Sequence, residues 1–164
     1  MDCGPACLRM VAKHYGRTYT QQTIRQRCFI TREGVSMLGI SDAAESIGLR
    51  TTGLKINFDQ LSNDVPLPCI AHWNQNHFVV VYQIKERRGD HFTVYVADPA
   101  RGLVAYNKEE FMRCWGVTQV EGKDCGTLLA LQPARSFMTQ KMRRKQRTKT
   151  SVSFSVIYVL TNHN

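Results

Sequence analysis

Residues 77–98 read HFVVVYQIKERRGDHFTVYVAD, and how the two halves of this stretch pair decides the fold. HFVVVYQIK and HFTVYVAD are rich in Val, Ile, Phe and Tyr, which suit a pleated, half-buried surface. The ERRGD between them carries Gly-Asp, which favours a chain reversal, so the two runs form an antiparallel hairpin. With the turn centred near Arg88, counting outward sets His77 opposite Asp98 or Pro99. Directly opposed side chains on one face lie about 5 Å apart. The hairpin therefore carries an imidazole and a carboxylate at its open end, and a slip of one residue would send them to opposite faces.

Further strands flank the hairpin. LRTTGLKI (49–56), PCIAHW (68–73) and TLLALQP (127–133) have the same β-rich composition. FDQLSND (58–64) reads as a short helical turn, and NKEEFMRCW (107–115) as a helix capped by Asn107. Upstream the periodicity changes to that of helices. In GPACLRMVAKHYG, Pro5 suits a first turn and Gly16 a stop. Cys7, Met10, Val11, His14 and Tyr15 recur at helical spacing and read as its buried stripe, which makes His14 structural. TQQTIRQRC forms a second helix with Thr20 as cap. SMLGISDAAESIG forms a third, capped by Ser36, with Met37, Ile40, Ala44 and Ile47 on one face and Gly48 at its end. Helices first and strands afterwards make an α+β domain, a helical half packed on an antiparallel sheet.

Cys3 lies four residues before Cys7, at the N-terminus of the first helix. Free backbone N–H groups and the positive end of the helix dipole favour a thiolate there, the nucleophilic form of cysteine. A histidine beside it would take its proton, and a carboxylate on the other ring nitrogen would hold the resulting imidazolium. Cys3, His77 and Asp98 can fill these three catalytic roles. His72 is a rival base, but only His77 has a carboxylate across the hairpin; His91 sits at the turn, far from Asp98. The other cysteines, at 7, 28, 69, 114 and 125, read as small buried hydrophobes. Asp98 in DPARG also suits the start of a turn.

The chain has 164 residues, enough for one domain with or without a tail. Its formal charge of +9 is concentrated at one end: Arg135, Lys141, Arg143, Arg144, Lys145, Arg147 and Lys149 crowd together, and no Asp or Glu occurs from residue 125 onward. Such a run suits a solvated linker or a membrane-surface segment. It lacks the aromatic platforms that stack bases, so nucleic acid is not an expected partner. SVSFSVIYVL follows, apolar but ten residues long, against the roughly 20 that a spanning helix needs. The expected division is a folded domain over residues 1–134 and a basic, then apolar, tail over residues 135–164. The six cysteines lack paired CxxC spacing, and the opening MDCG is not a signal segment. They read as free thiols of a reducing compartment, with neither a metal nor a cofactor expected.

DCGPACLRMVAKHYG, ITREGVSMLGISDAAESIGLRTTGLK, LPCIAHWNQNHFVVVYQI and YVADPARGLVAYNKEEF together resemble the bacteriocin-processing cysteine peptidases. These are the papain-like domains at the N-terminus of peptidase-containing ABC transporters. The resemblance spans about residues 2–133. It implies cleavage of a leader peptide after a double glycine, coupled to export, on the cytoplasmic side of the bacterial inner membrane. It implies Cys3 as nucleophile, His77 as general base and then acid, and Asp98 as the residue that orients His77. It also implies an apolar surface that holds an amphipathic leader helix, and a groove narrow enough to admit only glycine near the scissile bond. The membrane and nucleotide-binding parts of a transporter are implied partners; this chain carries no long apolar spans and no GxxxxGK[ST] loop. The family motif also places an oxyanion-hole glutamine six residues before the nucleophile. That position falls ahead of Met1, so either the start lies upstream, or another donor such as Asn74 or Gln75 serves, or the rate falls by about 100- to 1000-fold. In the last case the chain is a leader-binding module with weak or no catalysis.

Overall fold

The computed structural model describes residues 2–32, 34–135 and 137. Three helices come first: α1 (Cys3–His14), α2 (Gln21–Arg27) and α3 (Met37–Ser46). Next come β1 (Leu49–Asn57), α4 (Phe58–Asp64), β2 (Cys69–Trp73), β3 (His77–Arg87), β4 (His91–Asp98) and β5 (Gly102–Asn107). The described part continues with α5 (Lys108–Trp115), β6 (Thr118–Val120) and β7 (Lys123–Pro133). Side chains fix the helix starts. The Thr20 hydroxyl accepts the Thr23 N–H, and the Ser36 hydroxyl accepts the Gly39 N–H. Asn57 and Asn107 form reciprocal capping boxes with Gln60 and Glu110. Each cap is worth about 1 kcal/mol because it satisfies a donor the helix leaves open.

All strand pairs are antiparallel, in the order β1-β7-β2-β3-β4-β5, with β6 on β7. The sheet is buried on both faces. On one face α1–α3 pack Leu8, Val11, Ile24, Ile40 and Ala44 against Ile70, Phe78, Val80 and Leu129. On the other, Phe58 and Leu61 of α4 and Phe111 and Trp115 of α5 cover Ala71, Val79, Val81, Val94, Val96 and Leu128. Burial from both sides explains why FVVVY is a continuous apolar run and not an alternating one. Gly126 on β7 lies so close to Trp115 that a Cβ there would fall 2.2 Å from the indole.

Three readings of the sequence are corrected here. The stripe of α1 is rotated: Leu8 and Ala12 are buried with Cys7 and Val11, whereas His14 is exposed. His14 therefore has no structural role in the core; it edges against the Tyr15 ring at the helix end. Residues 102–107 and 118–120, which carry no expected strand, form β5 and β6. Both are short sheet-edge strands with largely exposed side chains; β6 lacks the apolar signature of the central strands, whereas β5, GLVAYN, carries a brief apolar run that faces outward at Leu103. Finally, the hairpin turn is centred on Gly89, since Arg87 pairs with His91, and a bulge at Tyr82 shifts the register between Val81 and Gln83.

Phe137 is fully buried beside Tyr15 and Gly48, so the core reaches at least to that residue. The expected basic and apolar tail, apart from Arg135 and Phe137, lies outside the described residues.

Candidate active site

The bulge at Tyr82 decides which side chains meet. From Gln83 to Arg87, paired residue numbers on β3 and β4 add to 178; at Val80–Ala97 and Val81–Val96 they add to 177. Continued outward, the second register sets Val79 across from Asp98. His77, two residues beyond Val79, then shares a face with Asp98. The first register would have put these two on opposite faces. His77 is thus diagonal to Asp98, not directly opposite, and its ring reaches across: Nε2 lies 2.8 Å from Asp98 Oδ1.

Asp98 is buried, 5% exposed. Its Oδ1 also accepts the Ala100 N–H at 2.8 Å, an Asx turn that orients the carboxylate. Burial alone would push the Asp98 carboxyl up. The hydrogen bonds from His77 and Ala100, together with the charges of His77 and Arg101, outweigh it and hold the carboxyl below its ordinary value. It is a carboxylate at neutral pH. A carboxylate accepts only, so Nε2 of His77 carries the hydrogen, and Nδ1 is the ring nitrogen left to act as a base.

Cys3 opens α1 and is half-buried. One turn below it, the buried Cys7 thiol donates to the Phe78 carbonyl at 3.3 Å, the residue after His77. The β3–β4 ladder ends at Val80–Ala97, so the strands part beyond that pair and the start of α1 abuts the opening. Burial raises the Cys7 thiol well above its ordinary value, and the nearby charges of Cys3 and Asp98 raise it further. Cys3, Cys7, Phe78 and Asp98 therefore gather at one end of the sheet. No hydrogen bond joins Cys3 to His77. The remaining thiols are free. Burial pushes Cys28 up to about 11 and Cys69 up to about 12, so both stay protonated and unreactive.

The rival base His72 lies on β2, stacked on Phe78 with ring centroids 5.1 Å apart, and is hydrogen-bonded to no carboxylate. His91 sits at the far end of the hairpin, opposite Arg87. Asn74 and Gln75 occupy the β2–β3 turn just ahead of His77, both with positive φ, and their side chains are exposed. Cys7 and the Ala100 N–H had no signal in the sequence beyond apolar spacing and an Asp-Pro turn. Among the described residues, no group of three or more His, Cys, Asp or Glu is placed to hold a metal ion.

Thiol acyl transfer needs a thiol and a histidine–carboxylate pair, and the chain carries the first at a helix N-terminus and the second at a sheet end. The sequence pattern of the peptidase C39 family matches residues 1–124. The chain belongs to that family. Among curated relatives of this C39 chain, the colicin V secretion/processing ATP-binding protein of Escherichia coli is 30% identical over 145 residues, 88% of the chain and 18% of that protein. The lactococcin-G-processing and transport ATP-binding protein of Lactococcus lactis subsp. lactis is 36% identical over 119 residues, 70% of the chain and 16% of that protein. The C39 chain thus spans less than a fifth of these relatives' length. Its fold is also that of solved peptidase domains. A double glycine motif protease from an AMS/PCAT transporter, crystallised with the leader peptide, superposes with a TM-score of 0.70 and 32% identity, covering 81% of this chain and 85% of that one. The peptidase domain of Streptococcus ComA gives 0.65 and 29%, covering 80% and 91%. The α+β, papain-like architecture follows from these likenesses. No helix among the described residues is long and apolar enough to cross a membrane.

Proposed function

We propose that this C39 chain is a cysteine endopeptidase that cleaves leader peptides after a double glycine, working with the membrane and nucleotide-binding parts of an ABC transporter at the cytoplasmic face of the membrane. The observation that carries the reading is the 2.8 Å contact between His77 Nε2 and Asp98 Oδ1 at the sheet end where α1 begins. Cys3 is the nucleophile. Asp98 holds the Nε2–H tautomer, and Nδ1 takes the Cys3 proton, giving a thiolate–imidazolium pair. The thiolate adds to the carbonyl carbon of the second glycine. The oxyanion forms near the first N–H groups of α1, which no intrahelical carbonyl uses. As the intermediate collapses, the Nδ1–H proton passes to the leaving amine and a thioester remains on Cys3. Water then loses a proton to Nδ1, adds to the thioester and releases the leader with a new carboxylate. Asp98 stabilises the imidazolium in both halves without accepting the proton itself.

The test compares the parent chain with Cys3→Ala on a peptide bearing Gly-Gly at a leader boundary. The expected result is cleavage after the second glycine by the parent alone, with both proteins unfolding at the same urea concentration. Cleavage by Cys3→Ala at the parent rate would remove Cys3 as nucleophile. A parent chain that binds the peptide and leaves it whole would make this a leader-binding module and not an enzyme.

A further inference from the structure

We propose that the β2–β3 turn, Asn74–Gln75–Asn76, holds the main chain of the released peptide just past the scissile bond, the Gln75 carboxamide pairing with the peptide unit that joins its first two residues. This rests on the peptidase reading and adds a contact on the side of the substrate that leaves first. Such a contact reads backbone and not side chains, so it accepts cargo of varied sequence.

The turn is strained for no gain in burial. The Asn76 N–H bonds the Trp73 carbonyl at 3.2 Å, closing a reverse turn whose central residues, Asn74 and Gln75, sit at φ +46° and +61°. Two positive φ values in succession are the pattern of a hairpin turn whose second central position favours glycine. Glutamine stands there instead. Its side chain is exposed, so nothing in the core offsets the left-handed backbone. Strained residues that the surroundings hold in place concentrate at functional sites. Here both sides of the turn are fixed. The Trp73 ring is buried against Tyr106 and Phe111, and the Asn74 N–H donates to the Cys114 carbonyl of α5 at 2.9 Å.

The carboxamides are also uncommitted. Asn57, Asn63 and Asn107 each use the side chain on nearby backbone. Asparagine in a turn commonly does the same. The side chains of Asn74, Gln75 and Asn76 bond no described residue, and all three are exposed. Three carboxamides in a row, directly ahead of His77, offer hydrogen-bond donors and acceptors without charge.

The chemistry of the site defines the occupant. In the proposed mechanism the Cys3 sulfur adds to the carbonyl carbon of the second glycine, and His77 Nδ1 gives its proton to the nitrogen one bond further on. The departing chain therefore runs from Cys3 past His77. Trp73 pairs with His77, so the three residues between them border that path. A peptide unit carries one C=O and one N–H, and a carboxamide meets both with its own N–H and C=O. A phosphate or a lipid headgroup would find no cation in residues 73–76. The competing use of Gln75 is as a donor to the oxyanion, and the test separates the two.

Two leader peptides bearing Gly-Gly are compared. In one, the peptide bond between the first and second residues after the scissile bond is replaced by an ester, which removes the N–H and weakens the carbonyl as an acceptor. The full chain is assayed as parent and as Gln75→Gly. With the parent, kcat/KM should be about tenfold lower for the ester peptide. Gln75→Gly should lose about tenfold on the amide peptide and treat the two peptides alike. Equal rates on both peptides with the parent overturn the proposal. So does an ester penalty that survives undiminished in Gln75→Gly, and a slower variant of that kind assigns Gln75 to the oxyanion. Gln75→Gly should keep or raise Tm, because glycine suits φ +61°; a fall of several degrees would mean that Gln75 serves the fold and not a ligand. If neither peptide is cleaved, fluorescence anisotropy of both on Cys3→Ala, with and without Gln75→Gly, reads the same contact. A preference for the amide peptide that depends on Gln75 then supports the contact and rejects the peptidase reading, whereas equal binding overturns the contact.

Discussion

Replacing Asp98 by Asn removes one charge while leaving the shape of the side chain nearly intact. The Asn oxygen can still accept the Ala100 N–H, now at 2.8 Å from Asp98 Oδ1, so the Asx turn survives. What is lost is the attraction between a carboxylate and the imidazolium that forms, in the proposed mechanism, when Cys3 gives up its proton. With charge centres roughly 4 Å apart and an effective dielectric near 20, that attraction is about 4 kcal/mol. The Asp98 side chain is 4% exposed but His77 is 24% exposed, and solvent on the histidine side can halve the value. Between about 2 and 4 kcal/mol, kcat/KM should fall roughly 30- to 1000-fold. The assay is steady-state cleavage of a Gly-Gly leader peptide, alongside the rate of Cys3 alkylation by iodoacetamide, which follows the thiolate fraction directly. Both rates should drop, and the alkylation rate should recover as pH rises and the thiol ionises without help. A loss of less than threefold, in a variant as stable to urea as the parent, would mean that Asp98 only builds the turn and that His77 needs no partner.

Acid should weaken the fold through the same carboxyl. Its folded value lies below the ordinary one, so its contribution is complete above about pH 4 and is lost as pH falls through the folded value; urea melts at descending pH should show this decline, and Asp98→Asn should lack it. Gly126→Ala should cost about 3 kcal/mol or more in urea unfolding, because its Cβ would fall within 2.2 Å of the buried Trp115 indole; a variant as stable as the parent would show that Trp115 has room to move. A chain extended at its N-terminus to carry a glutamine six residues before Cys3 should cleave about 100- to 1000-fold faster, read as kcat; an unchanged rate would mean that the oxyanion is held by other donors.

Helix starts were legible because capping is local: Thr20, Ser36 and Asn107 each bond a backbone N–H within three residues of themselves. The central strands were legible for a different reason, since burial on both faces demands unbroken Val, Ile and Phe. That same burial hid the bulge. With apolar side chains required on either side, FVVVY reads identically in both registers, so the pairing of His77 with Asp98 was found although its geometry, diagonal across a shifted ladder, was not. The stripe of α1 was misjudged because periodicity alone does not say which neighbouring face is buried; Leu8 and Ala12 were chosen by the position of α3 and the sheet, and His14 was left outside. The place of Cys3 at the head of a helix was legible, whereas the contact of Cys7 with the Phe78 carbonyl joins residues 71 apart in the chain and was not.

The unpaired Tyr82 also limits how this hairpin can vary in length. Residues gained or lost at the Gly89 tip lie beyond the bulge and leave the His77–Asp98 end alone. A single deletion between Tyr82 and His77 would turn the imidazole to the other side of the sheet, so tolerated changes there should come in twos. Lineages and engineered variants that shorten this strand by one residue are then expected either to restore the count with a compensating bulge or to lose cleavage outright.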